Sequence, residues 1–237
     1  MHEVEVEAFE LMREEITVAE YRCCVNAGDC GLPDCQANTD SVGWNACNYA
    51  LGREEHPVNY VTWHNAVQYA EWSGYRLPGE AEWEYAARAQ GQNQLYPWGN
   101  QPPTCELADH RSSPNGACQD LGTSPGCSHP TGNTAQGICD LAGNVYEWVA
   151  DEWHANYEGA PNNSEPWGGV GDPDVDRIIR GCNWSGGHDH LHATWRRPWD
   201  PASAFSTNGF RLARPLVPRC GNGVIEGPEQ CDDGNER

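Results

Sequence analysis

Residues 184–199 carry a dense set of side chains able to do chemistry. His188, His190 and His192 stand at i, i+2 and i+4, with Trp184, Trp195, Trp199, Arg196 and Arg197 around them. On a strand, alternate residues share a face, so the three imidazoles would point the same way. Three imidazoles on one face can ligate zinc, copper or non-haem iron. The double glycine Gly186-Gly187 allows a loop instead, where no such face forms. Tryptophan faces and paired guanidinium groups suit recognition of a sugar, a carboxylate or a peptide end. The competing reading pairs these arginines with the acidic excess of the chain. The partner expected here is an unidentified small molecule, glycan or protein ligand.

That excess is large: Asp and Glu total 35 against 14 Lys and Arg, a formal charge of −21 over 237 residues. Such a surface repels phosphate backbones and anionic membranes, so no nucleic-acid partner and no membrane insertion are expected, and calcium is a natural counter-ion. No run reaches about 18 apolar residues, the length a spanning helix needs. No G-x-S-x-G elbow, P-loop or dinucleotide fingerprint occurs. The 12 cysteines show no zinc-finger layout, and ten of them precede residue 183. Scattered cysteines in an acidic chain imply disulfides and an oxidising compartment, though their pairing is not legible. No signal peptide is visible, because Met1 opens almost at once on the alternating run VEVEAF. The native N-terminus is therefore expected upstream, and secretion or cell-surface exposure is inferred from the cysteines and from the resemblance below.

Three helices must position these residues. Thr17-Val-Ala-Glu20 fits a capping box, with an end near Gly28. A second helix starts at Thr62 and runs to Gly74, with Trp63, Ala66, Val67 and Ala70 on one face. A third follows Pro78-Gly79, its acidic residues Glu80, Glu82 and Glu84 favouring the positive end, Arg88 the negative end, and Gly91 closing it. Beyond residue 92 periodicity fades into Gly, Pro, Asn, Ser and Asp, broken by short runs at 145–150 and 177–180. A stretch this irregular needs anchors, which the 11 tryptophans and the cysteines supply.

Several linked motifs, RLPGEAEWEYAAR, YPWG, GICDLAGNVYEW, RIIRGCNW and GFRLAR, occur in an order that resembles the formylglycine-generating enzyme, or sulfatase-modifying factor, family. The resemblance implies an α+β, C-type-lectin-like fold with low regular secondary structure over residues 1–214, disulfide-rich here. Residues 215–219 read as a linker. CGNGVIEGPEQCDDGNER then resembles the start of a cysteine-rich repeat of myxobacterial surface proteins, so residues 215–237 form a second, truncated unit.

The family also implies site residues. Its calcium-wrapping stretch falls on Asp140, Gly143, Val145 and Glu147, combining two carboxylates with two backbone carbonyls, hard donors of the kind calcium takes. The alternative is an ordinary turn with Glu147 solvated or salt-bridged. A second calcium site maps no better than to Glu106 and Asp120. Relatives that oxidise a substrate cysteine use two thiols, five residues apart, to bind copper(I), a soft ion matched to soft sulfur. Aligned on RGCNW without gaps, those positions hold Gly186 and Leu191, which have no donor atoms. Cys182, where the family has glycine, is expected in a disulfide. Iron-using relatives take their histidines from a separate helical domain absent here, and in lectin-like relatives the 184–199 region is the binding surface. The expectation is a calcium-stabilised ligand- or protein-binding module without the copper pair. The alternative is a metal-dependent oxidoreductase of the family, with copper or iron on the histidines or atypical formylglycine formation through Cys182.

Overall fold

The computed structural model describes residues 3–35, 46–112, 116–118, 122–168 and 175–216. The proposed linker beyond residue 216 and the cysteine-rich repeat lie outside the described residues.

Helix α1 (Val18–Ala27) starts with the capping box its sequence announces: Thr17 Oγ1 accepts from Glu20 N at 3.3 Å, and Glu20 Oε2 accepts from Thr17 N at 2.8 Å. Gly28, at φ 84°, closes it in the left-handed region. Helix α2 (Trp63–Ser73) repeats the scheme with Thr62, Asn65 and Gly74, and buries Trp63, Ala66, Tyr69 and Ala70. Helix α3 (Glu80–Ala87) has glycine at its N-cap. Its first N–H groups are therefore served by other residues' carboxylates: Gly79 N donates to Glu82 Oε2 at 2.9 Å and Glu80 N to Asp151 Oδ2 at 2.6 Å. A Cβ at position 79 would come within 2.9 Å of Ser164 O, so the crossing here admits only glycine. The helix ends at Ala87, before Gly91, because Ala89 and Gln90 already take positive φ values of 45° and 66°.

The strands, in chain order, are β1 (Phe9–Leu11), β2 (Arg111–Ser112), β3 (Gly116–Ala117), β4 (Tyr146–Glu152), β5 (Arg177–Arg180), β6 (Arg196–Trp199), β7 (Asn208–Gly209) and β8 (Ala213–Pro215). The central sheet runs β6-β5-β4-β7, antiparallel except for the parallel β4–β7 pair. Strand β1 pairs antiparallel with β8, tying the start of the domain to its end. The VEVEAF run contributes only Phe9 to that strand; Glu5 forms a single parallel bridge with Asn163. The core lies between α1, α2 and the sheet, where Tyr21 stacks on Tyr69 at 5.5 Å and Phe210 meets Tyr69 edge-on at 5.6 Å. Trp63, Trp83 and Trp148 are buried with their indole N–H groups bonded to Val149 O, Glu147 Oε2 and Val61 O, so these tryptophans anchor irregular backbone.

Asp151 is a second anchor. Its Oδ1 accepts from Trp167 N at 2.8 Å while Oδ2 caps α3, joining the 163–168 segment to that helix. Burial pushes its carboxyl up to about 7, against the two N–H donors that favour the charged form. Asp151→Ala leaves both donors buried and unpaired, with an expected cost of about 1–3 kcal/mol in urea unfolding. A loss below a few tenths of a kcal/mol would mean that water replaces the carboxylate.

Among the described residues four disulfides form: Cys24–Cys30, Cys35–Cys47, Cys105–Cys118 and Cys127–Cys139. Of the ten cysteines before residue 183, Cys23 and Cys182 are free. The expected disulfide at Cys182 is therefore overturned: its thiol is wholly buried in a pocket of Tyr96, Ala108, Ala142 and Leu191, with no other sulfur in that group. Cys220 and Cys231 lie outside the described residues.

Candidate functional site

Two centres flank the β4–β5 end of the sheet. The first is the turn that leads into β4. Asp140 and Asn144 take φ values of 56° and 55°, and Gly143 takes 101°. A Cβ on Gly143 would overlap the Asp109 carbonyl, so glycine is required both for φ and for the close approach. Asp140 Oδ2 accepts from Cys127 N at 2.6 Å, and the Cys127–Cys139 disulfide ties the same two loops. Glu147 is fully buried. Arg211 grips its two oxygens, Nε to Oε2 at 2.7 Å and Nη2 to Oε1 at 2.8 Å, and Trp83 Nε1 adds a 2.9 Å bond to Oε2. Of the readings open for Glu147, a salt bridge is what forms.

A third carboxylate joins them. Glu15, also buried, accepts from Asn144 Nδ2 at 2.7 Å and Val145 N at 3.4 Å. Burial, then the charges of Asp140 and Glu147, hold its carboxyl well above the usual range; burial also raises Asp140. When ionised, three carboxylates face one guanidinium. That leaves an excess of two negative charges beside the Gly143 and Val145 carbonyls, but Arg211 and Trp83 already take both oxygens of Glu147, and the carboxylates do not converge as a metal-holding group among the described residues. Sequence reading named Asp140 and Glu147 for this turn but not their neighbours Glu15 and Arg211. Glu15 lies 129 residues from Asn144, and no local spacing points to it. Arg211 sits inside GFRLAR, which reads as a strand motif.

Of the second-site candidates, Glu106 is exposed and Asp120 lies outside the described residues. The buried carboxylate in that region is Asp109. Ser124 Oγ donates to its Oδ2, His129 Nε2 stands 3.8 Å from Oδ2, and its Oδ1 is buried without a partner among the described residues. The Asp109 carboxylate raises His129 above its ordinary value.

The second centre follows β5. His188–Leu191 form a 3-10 turn, so the strand expected to align the histidines does not form there. The three rings diverge. His188 packs at 4.8 Å on the buried His110, His190 Nδ1 lies 3.4 Å from Tyr146 OH, and His192 Nε2 lies 3.2 Å from Tyr96 OH. Among the described residues no three His, Cys, Asp or Glu side chains converge as a metal-holding group. The turn follows from what anchors it. Leu191 is buried against Cys182, and Arg180 donates to the carbonyls of Ala193, Thr194 and Trp195 while pairing with Glu84 Oε2 at 2.7 Å.

The remaining expected site residues divide between packing and surface. Trp184 is buried, and Trp195 stacks on Tyr146 at 5.1 Å. Arg196 is committed to Glu80, with bonds of 2.6 and 3.0 Å, and lies over Trp153 and Tyr157. For this arginine the acidic excess is the partner. Arg197 is exposed, 4.7 Å above Trp199. Gly186 touches the second centre directly: a Cβ there would overlap Cys182 Sγ and lie 3.6 Å from His190 Nδ1.

Residues 1–216 match the sulfatase-modifying factor enzyme 1-like domain. The chain is 36% identical over 181 residues to the mouse formylglycine-generating enzyme, covering 71% of this chain and 46% of that protein. It is 36% identical over 168 residues to the bovine inactive C-alpha-formylglycine-generating enzyme 2, covering 67% of this chain and 50% of that protein. The chain thus spans about half the length of these curated relatives. Among solved structures, PvdO from Pseudomonas aeruginosa superposes with a TM-score of 0.72 at 30% identity, over 88% of this chain and 80% of that one. The α+β, C-type-lectin-like fold of the formylglycine-generating type is therefore the fold of this domain. With its motifs in family order, its curled sheet and few helices, and a domain match along residues 1–216, the chain belongs to the formylglycine-generating enzyme, or sulfatase-modifying factor, family.

Proposed function

We propose that this domain is a secreted, calcium-stabilised binding module of its family that lacks the copper oxidase chemistry. The observation that carries the proposal is the sulfur content of the second centre. The positions aligned with the family's thiol pair are Gly186 and Leu191, which offer copper no donor. The thiol beside them, Cys182, is buried, and burial pushes it up to about 12, so at neutral pH it is protonated and a poor ligand. The other free cysteine among the described residues, Cys23, is exposed on α1. A relative at the same level of identity as the mouse enzyme bears the name inactive, which supports a scaffold retained without oxidation. Calcium is proposed at Asp140, Gly143, Val145 and Glu147, the positions the family resemblance implies, supported by the net negative charge that these two carboxylates and Glu15 leave around Arg211. The four disulfides fit an oxidising compartment, extracellular or in the endoplasmic reticulum lumen, and support secretion. The exposed Arg197, over the half-buried Trp199, and the exposed His188 offer a ligand accessible polar and aromatic contacts in the 184–199 region.

Elemental analysis of the purified protein, a copper(I) titration followed by thiolate absorbance, and oxidation of a cysteine-containing peptide test this reading together. Calcium alone and no turnover are expected. Stoichiometric copper or iron, lost in a His190→Ala variant, would favour the metal-dependent oxidoreductase. Peptide oxidation that depends on Cys182 would establish an atypical formylglycine former.

A further inference from the structure

A cavity of about 430 Å³ lies away from both centres, between α2, the Tyr75–Leu77 lead into α3, and the paired ends of the domain at Ala8 and Pro215. It shares no residue with the 182–199 segment or with the acidic turn, so it stands independently of the function proposed above. Its floor is apolar and aromatic, built from Trp63, Val67, Ala70, Tyr75 and Leu77. Its charged residues are four glutamates, Glu7, Glu71, Glu82 and Glu165, against the one arginine Arg76.

These charges are not equivalent. Arg76 and Glu82 neutralise each other through two bonds, 2.6 and 2.7 Å, forming a closed wall. Glu7, Glu71 and Glu165 remain on the exposed rim, and none of them is in an ion pair among the described residues. The Arg177 guanidinium lies 4.1 Å over the Trp63 ring, so that cation-binding face is already taken. A ligand that matches this layout puts an apolar body on the floor and positive charge at the rim. An anion would meet three carboxylates and a chain of net charge −21.

We propose that this cavity is a binding site for a small organic cation, a primary or quaternary amine carried on an aromatic or branched apolar body. The amine is held by Glu71, Glu165 and Glu7, and the body rests on Trp63, Val67 and Tyr75.

The test uses the full chain and three indole probes of matched size: tryptamine, tryptophol and indole-3-acetate. Calorimetry gives affinities, and the Trp63 indole N–H resonance reports the site. Tryptamine is expected to bind at least tenfold tighter than tryptophol and to shift the Trp63 signal, with indole-3-acetate weakest. The double variant Glu71→Gln/Glu165→Gln is expected to bring tryptamine down to the tryptophol level without changing tryptophol. Val67→Trp, which fills the floor, is expected to abolish binding of both. Equal affinity for tryptamine and tryptophol in the wild type, no tryptamine binding below 10 mM on the order of the weakest measurable complexes, or binding that survives Val67→Trp overturns the proposal. Binding seen only after residues 217–237 are cut away would show that the chain's own tail fills the cavity, and would also overturn it.

Discussion

Replacing Arg211 by methionine is expected to lower the stability of the calcium-free protein by about 3–5 kcal/mol, because it strips the one cation from a buried ion pair. Glu147 would keep its bond from Trp83 but lose both arginine contacts, in a cavity that already holds Glu15 and Asp140. The loss should grow with pH. Glu15 has a raised carboxyl pKa in the folded protein, so above the ordinary carboxylate range the native state still holds a proton that the unfolded chain has released. A native state that binds more protons loses stability as pH rises. The wild type should therefore weaken from below pH 4.5 upward through the raised folded value, and Arg211→Met should weaken more steeply. Calcium bound at the proposed site is expected to reverse the slope by supplying the missing positive charge. At a hundred times its dissociation constant it adds about 2.7 kcal/mol. The calcium response should be larger in Arg211→Met than in the wild type, since the ion no longer shares the site with a guanidinium, and should vanish in Asp140→Ala. Urea unfolding at pH 5 and pH 8, with calcium and with chelator, measures all of this. Identical curves with and without calcium at both pH values would remove calcium from this turn.

What could be read from the sequence was what is local. The α1 cap was legible because its partners Thr17 and Glu20 stand three residues apart; for α2 the start at Thr62 was legible, while the capping role of Asn65 came from the structure. Helix α3 was placed correctly at its start but ended early, because its exit depends on Ala89 and Gln90 adopting positive φ, which neither residue type signals. The acidic turn was visible through its motif, yet its electrostatics were not. Glu15, the Asp140–Glu147 turn and Arg211 come from three segments, and only the folded chain makes them neighbours. For the histidine triplet the sequence left a strand and a Gly186-Gly187 loop both open, and the segment turns rather than extends. Period two predicts a strand only when nothing stronger acts on the backbone. Here Leu191 is pulled into the pocket beside Cys182, and Arg180 clasps three consecutive carbonyls, so the segment turns. Cys182 itself was misjudged because an even cysteine count suggested full pairing, while burial among apolar side chains protects a lone thiol equally well.

The sequence difference at the second centre also makes a sharp prediction about coupled positions. Aligned without gaps on RGCNW, relatives that oxidise a substrate cysteine carry glycine at the position of Cys182 and a thiol at that of Gly186, the reverse of this chain. Because a side chain at 186 would overlap Cys182 Sγ, the two choices exclude each other in the present packing. Gly186→Cys alone is expected to cost about 1–3 kcal/mol as overpacking, although rotation of the Cys182 side chain offers some relief. Cys182→Gly alone leaves a void in the cluster of Tyr96, Ala108, Ala142 and Leu191 and is also expected to destabilise. Made together, the two should cost less than their sum, with a favourable coupling of about 1–3 kcal/mol. Adding Leu191→Cys to that pair places two thiols at the family spacing on an otherwise native scaffold. The triple variant is then expected to change from no copper(I)–thiolate absorbance to a stoichiometric band, as soft thiolates select this ion. Peptide oxidation has a separate requirement, a substrate cleft, so metal binding is the readout that decides. Additive single and double variants would show that Gly186 and Cys182 do not share one space. Copper(I) bound as well by the wild type as by the triple variant would mean that the sulfur pair was never what this domain lacked.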